Sequence, residues 1–281
     1  MPDVASLRDA LGTEHPPAAA GFRIVSLVPS LTELVCDLGL AAHLVGRTGF
    51  CIHPRAAVAT IPKMGGTKDP DFGKIRAARP THLLVNVDEN RREQIAELAR
   101  TVPHVIVTHP NRPEENLDLF HLFGGLFHRE REAERLAADF RAAREELRQA
   151  VAALPRERVL YLIWKNPWMT VSRATYISAM LAAAGWDTEP AASVDRYPRL
   201  PETGEEPGPL DHLLLATEPY RFTPADIPLA EARFAAPARL VDGELLSWYG
   251  SRAGRRRRGC RTRRGARRRP ALPGTPAHGV R

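Results

Sequence analysis

Arg23-Ile24-Val25-Ser26-Leu27-Val28-Pro29-Ser30-Leu31-Thr32-Glu33-Leu34 is the stretch on which the fold reading turns. Ile24 to Val28 is a short apolar run, rich in β-branched residues and stopped by Pro29, the pattern of a buried strand. Ser30-x-x-Glu33 has capping-box spacing, in which the Ser30 hydroxyl accepts from the Glu33 amide and the Glu33 carboxylate from the Ser30 amide. The helix so begun runs through Leu38, with Gly39 as its stop. Strand, tight turn and capped helix leave free amides at the carboxyl end of a sheet, where open α/β sheets bind ligands. The same grammar also fits an ordinary β-α unit with no ligand.

Working outward, the pattern recurs. Leu44-Val45-Gly46 is a second strand, opening into Arg47 to Pro54, a loop that carries Phe50. Ile61 to Gly66 is a strand end and a glycine turn, Asp71 to Ala78 a helix, and Thr81 to Val87 a third strand. Glu93 to Arg100 is helical and Val105 to Val107 a fourth strand. Strands spaced by helices of about ten residues argue for a parallel sheet with crossover helices. Then the rhythm breaks. Leu136, Phe140, Ala143, Leu147, Ala150, Val151 and Leu154 recur at steps of three and four, with Glu and Arg filling the other face. That is one amphipathic helix of roughly 25 residues, ~37 Å long, which suits a rigid strut between two lobes. After Pro155 the α/β grammar restarts: strand Val159 to Trp164, an aromatic loop Asn166 to Val171, helix Tyr176 to Ala184, strand Asp211 to Ala216 and strand Arg239 to Gly243. The fold expected is α/β, two lobes with parallel sheets bridged by one long helix, with a cleft between them. Its divisions are an extension over 1–21 with a helix from Val4 to Leu11, a first lobe over 22–126, the bridging helix over 127–154, a second lobe over 155–253 and a tail over 254–281.

Composition is adequate for a real core: 43% of the 281 residues are hydrophobic, and no apolar run approaches the ~20 residues of a membrane span. Cys36, Cys51 and Cys260 form no C-x-x-C pair, so neither a disulfide framework nor a closed zinc site is indicated. The formal charge of +7 misleads, because twelve arginines and no acidic residue follow Ser251, leaving residues 1–250 at about −5. Arginine, glycine, proline and alanine dominate the tail, which reads as disordered. All four have G- and C-rich codons, so the tail also fits an out-of-frame ending. Residues 1–21 lack a basic region followed by an apolar core, which points to the cytoplasm. A misassigned start codon would instead hide an export signal and place the protein in the periplasm or at the cell surface.

Arg23 to Leu34, Val45-Gly46, Pro54, Gly65-Gly66, Arg79-Pro80-Thr81-His82-Leu83-Leu84-Val85 and Trp164-Lys165-Asn166-Pro167-Trp168 resemble, in order and interval, the solute-binding proteins of cobalamin and iron-siderophore uptake. The cobalamin-binding branch is the nearest likeness. The resemblance implies non-catalytic capture of cobalamin or a related metal chelate as ligand, with no cofactor required and an ABC transporter permease as partner. Carried over by position, Pro29, Ser30, Phe50, Cys51, Gly65 and Gly66 would face Trp164, Trp168, Tyr197, Trp248 and Tyr249 across the cleft. Aromatic side chains suit such a ligand, since each can bury ~150–250 Å² against a ring system. Three departures accompany the likeness. No export signal is legible. The transporter-docking glutamates have no counterpart: Asp69 or Asp71 is a weak substitute in the first lobe, and Glu202, Glu205 and Glu206 fall in a Pro/Gly-rich segment in the second. The arginine tail also replaces the closing C-terminal helix, which predicts low stability through an exposed apolar face.

No catalytic constellation emerges. Gly65-Gly66-Thr67-Lys68 lacks the phosphate-loop frame, and neither a G-x-S-x-G elbow nor an H-E-x-x-H pair is present. Cys51-x-His53 offers two metal ligands, too few for a site, although His53 could approach the metal of a bound chelate. The alternative function is a cytoplasmic chelatase-like or cobalt-handling enzyme of the same shape, which needs an acid and a histidine to converge in the cleft, for example His53 with Asp195 or Asp242. Specific nucleic-acid binding is not expected; non-specific binding would rest on the tail alone.

Overall fold

A computed structural model describes residues 7–202 and 208–254. Two four-stranded sheets, parallel throughout, form its frame. The first contains β1 (Ile24–Ser26), β2 (Leu44–Arg47), β3 (His82–Asn86) and β4 (His104–Thr108), in the order β2-β1-β3-β4. The second contains β5 (Glu157–Leu162), β6 (Trp186–Thr188), β7 (His212–Ala216) and β8 (Ala238–Val241), in the order β6-β5-β7-β8. Each half thus uses the same strand order. The residues of β1 and β3 and most of β5 and β7 are buried, which is why they read as near-continuous apolar runs rather than alternating ones.

Helices cover the sheet faces. In the first half these are α1 (Pro29–Asp37), α2 (Arg55–Val58), α3 (Phe72–Ala78), α4 (Arg92–Leu98) and α5 (Asn116–Leu126). One apolar cluster joins β1 to α1, α5 and α6 (Glu130–Val151), and a second lies on the other face with Phe72, Ile75, Ile95 and Leu98. The second half carries α7 (Tyr176–Ala183), α8 (Ile227–Phe234) and α9 (Gly243–Ser247), with separate clusters on the two faces of its sheet. Among the described residues no helix is long and apolar enough to cross a membrane.

Helix α6 is continuous over 22 residues, or ~33 Å. Its buried side is Ala133, Ala137 and Phe140, so the apolar stripe predicted over Leu147 and Ala150 is not core: Ala150 is exposed and Leu147 half-buried. The reason lies in its partner. Helix α5 crosses only the first half of α6, so closely that a Cβ on Gly124 would stand 2.7 Å from that of Ala133.

Several local expectations are corrected. Helix α1 begins at Pro29, with Val28 as N-cap and no side-chain cap, so the Ser30-Glu33 capping box does not form. Proline already occupies the first helical position, where no amide needs a partner, and the Glu33 carboxylate is turned to Arg252 instead. The stop at Gly39 forms as expected (φ +76°), with the Gly39 amide on the Cys36 carbonyl and that of Leu40 on Val35. The described part of the Val4 to Leu11 helix is a turn, because Asp9 accepts from the amides of Leu11 and Thr13, both at 2.9 Å. Asp71 is the N-cap of α3 rather than part of it, accepting from the Lys74 amide at 3.0 Å. Strand β6 and helix α8 have no counterpart in the sequence reading. The expectations for Glu205, Glu206 and residues 255–281 fall outside the described residues.

Candidate ligand-binding cleft

A cavity of about 690 Å³ opens between the halves. Its first wall is Gly49, Phe50, Ile52 and His53, which follow β2; its second is Thr217 and Glu218 after β7, and Leu240, Val241, Asp242 and Glu244 with Trp248 around the end of β8. Both walls are strand carboxyl ends, as in other open parallel sheets that bind ligands.

The Phe50 loop is held from behind. Thr32 in α1 donates to the Val28 carbonyl at 3.0 Å and contacts Cys51 Sγ at 3.0 Å, and Thr48 contacts the same sulfur at 3.1 Å. Cys51 is therefore enclosed in the first half, and burial raises its thiol pKa. Gly65 takes φ +88°, where a Cβ would stand 2.5 Å from the Asp69 carbonyl. Its own carbonyl accepts from Gly49 at 2.9 Å, and Gly66 lies behind the Phe50 ring. Buttressed in this way, Phe50 remains 63% exposed in the cleft.

Trp248 is the hub of the opposite wall, although only 5% exposed. Its indole nitrogen donates to Glu218 at 3.0 Å, and its ring meets that of His53 edge-on at 5.6 Å. The Arg252 guanidinium lies over it at 4.4 Å. Arg252 also donates to both carboxylate oxygens of Glu33 (2.8 and 3.0 Å) and to Glu244 (2.7 Å), whose carboxylate stands 3.2 Å from His53 Nε2. Burial, and then the neighbouring charge of Glu244, raise the pKa of Glu218.

A second tie crosses at the side of the cleft. Arg196 grips Asp88 through two hydrogen bonds (3.1 and 2.7 Å) and Asn111 through a third (2.8 Å), while the Tyr197 hydroxyl donates to Asp88 at 3.0 Å. Burial and the Asp88 charge raise the Tyr197 pKa.

Of the eleven positions expected in the site, Phe50 and Trp248 line the cavity, and Cys51, Gly65 and Gly66 support the Phe50 loop. Pro29 and Ser30 are buried in the first turn of α1. Tyr197 belongs to the side tie, and Tyr249 is buried beside Tyr176 with its hydroxyl on Glu89 at 3.2 Å. Trp168 stacks on Phe222 at 5.9 Å, and Trp164 meets Tyr220 edge-on, so both rings serve the interior and rim of the second half. His53 does converge with an acid, but that acid is Glu244; Asp242 lines the same cavity and Asp195 does not. Glu218 and Glu244 were missed by sequence reasoning. Glu218 follows the predicted strand Asp211 to Ala216 almost directly, and the strand-end argument applied to the turn after Ile24 to Val28 would have found it.

Two like-built parallel α/β halves with an open cavity between them at their strand carboxyl ends have the form of a ligand-capturing protein. The chain belongs to the periplasmic binding protein family, whose model matches residues 24–196, and so to a group of non-catalytic solute-binding proteins. Among solved structures it is similar to the periplasmic vitamin B12 binding protein BtuF of Vibrio cholerae, at 17% identity over 83% of this chain and 92% of that one, with a TM-score of 0.70. An ABC transporter substrate-binding protein from Listeria monocytogenes is 18% identical over 85% and 95%, TM-score 0.69. The periplasmic heme-binding protein RhuT from Roseiflexus sp. RS-1 is 23% identical over 83% and 94%, TM-score 0.65. No curated protein sequence matches the chain.

Proposed function

We propose that this protein captures cobalamin or a related metal chelate without covalent chemistry, as the substrate-binding component of an ABC uptake system. One observation carries the reading: a cavity between the halves, walled by the exposed Phe50 ring on one side and the end of β8 with Trp248 on the other. Its volume lies within the ~300–1,000 Å³ of small-molecule sites. A broad, flat guest would lie on Phe50 and project through the mouth of the cleft. His53 is the cavity side chain that can approach a guest metal from this wall. Structures of like fold described as vitamin B12 binding, heme-binding and ABC transporter substrate-binding support this class of guest. Uptake service requires a place outside the cytoplasmic membrane, in the periplasm or at the cell surface, and that location is part of the proposal.

Titrating cobalamin against tryptophan fluorescence tests it. Quenching at micromolar ligand is expected, and Phe50→Ala should weaken binding about tenfold, as for a central aromatic anchor. No quenching by cobalamin, with an iron siderophore and haem also silent, overturns the reading.

A further inference from the structure

The second wall gives the cavity its charge. Among the described residues Glu218, Asp242 and Glu244 line it, and no lysine or arginine does. Arg252 lies behind Trp248 and is matched by two carboxylates, those of Glu33 and Glu244. Glu89 adds another carboxylate behind the wall, close enough to Glu218 that their charges interact. Burial first, and then the charge of Glu244, raises the pKa of Glu218; burial first, with Glu218 adding to it and Lys68 opposing it, raises that of Glu89 to about 7. His53, the one basic side chain among the described residues that line the cavity, already faces Glu244.

Building on the capture reading above, we infer that Glu218 and Asp242 are specificity-determining residues: they admit a metal chelate whose inward edge is cationic or carries N–H donors, and turn away one whose inward edge carries carboxylates or phenolates. Ionised carboxylates accept from amide N–H groups in short, charge-assisted bonds. The open face of Phe50 adds attraction for a cation. A dicarboxylate porphyrin or an anionic iron chelate brings like charge against this wall, which costs affinity and slows encounter.

Equilibrium dialysis of the full chain near neutral pH tests the inference with aquocobalamin (cationic), cyanocobalamin (neutral and amide-bearing) and haemin (a dicarboxylate). Binding should be tightest for aquocobalamin and weakest for haemin. Raising salt to ~0.5 M should weaken aquocobalamin, leave cyanocobalamin unchanged and strengthen haemin, because only charge-dependent contributions are screened. Asp242→Asn, at an exposed position, and Glu218→Gln, which keeps an acceptor for the Trp248 indole, should each narrow the aquocobalamin-to-haemin ratio by about three- to tenfold. Haemin binding as tightly as cyanocobalamin, or a ratio that both variants leave unchanged, overturns charge selection while leaving capture intact. Silence of all three probes overturns the capture reading, and charge selection with it.

Discussion

Glu89 stands just beyond β3, where burial outweighs the hydrogen bond from Tyr249 and raises its carboxyl pKa to about 7. The folded protein therefore holds a proton between about pH 4.5 and 7 that the unfolded chain releases. Its contribution to stability is complete below about 4.5 and is lost as the pH rises through 7. Thermal unfolding should accordingly show the native chain losing a few degrees between mildly acid and mildly alkaline buffer, with Glu89→Gln flattening that slope. His82 works in the opposite direction. Burial, with the neighbouring charges of His104 and His15, lowers its pKa to about 4, and its ring stacks on His104 at 4.8 Å. The unfolded chain takes up a proton near 6.5 that native His82 refuses, so stability falls as the pH drops from 6.5 towards 4. In Glu89→Gln this acid limb should remain, and in His82→Gln it should shrink; a limb unchanged in His82→Gln would refute the assignment.

Among the elements, α1 is held by the turn at Gly250–Gly254 rather than by a cap of its own. The side chains of Glu33 and Arg252 are almost wholly enclosed. Removing one partner leaves a buried charge uncompensated, so Arg252→Ala should cost about 3–5 kcal/mol in chemical denaturation. The double variant Glu33→Gln, Arg252→Ala should recover part of that loss; no recovery would mean that the pair is not the cause. The α5–α6 crossing tests packing by itself. Gly124→Val places carbon where Ala133 already stands, and about 1–3 kcal/mol should be lost through overpacking. A neutral result would show that the two helices can separate freely.

For the whole molecule, the question is how firmly the halves are set before a guest arrives. Asn116 at the start of α5 accepts from the Gly250 amide and donates to Tyr176 in α7 at 2.9 Å. Arg196 and Tyr197 tie the second half to Asp88 in the first. With α6 as a continuous rod, these links favour a preformed cleft. Solution scattering should then give nearly the same radius of gyration with and without cobalamin. Arg196→Ala should broaden the free-state profile and weaken binding several-fold. A marked contraction of the native chain on binding would contradict preformation.

The strand-turn-helix at Arg23 to Leu34, the recurrence of that unit, and the long helical run of α6, though not its buried side, were legible because each is a local pattern, repeating every two, three or four residues. They determined an α/β chain in two like halves with a rod between, and the resemblance in their order agrees with the family found. Phe50 was legible too, as a large ring in a loop that begins at a strand end. What only tertiary structure decided were partnerships between residues far apart in the chain. Glu33 has the spacing of a capping box, yet a guanidinium 219 positions away claims it. Trp164 and Trp168 resemble binding residues in sequence, yet Tyr220, Phe222 and Phe234 engage their rings. The acidic wall arises because β7 and β8 are neighbours in the sheet, so Glu218 and Asp242 leave adjacent strand ends together. Local periodicity specifies which face of an element turns inward; which distant side chain meets it there is set by strand order and close packing.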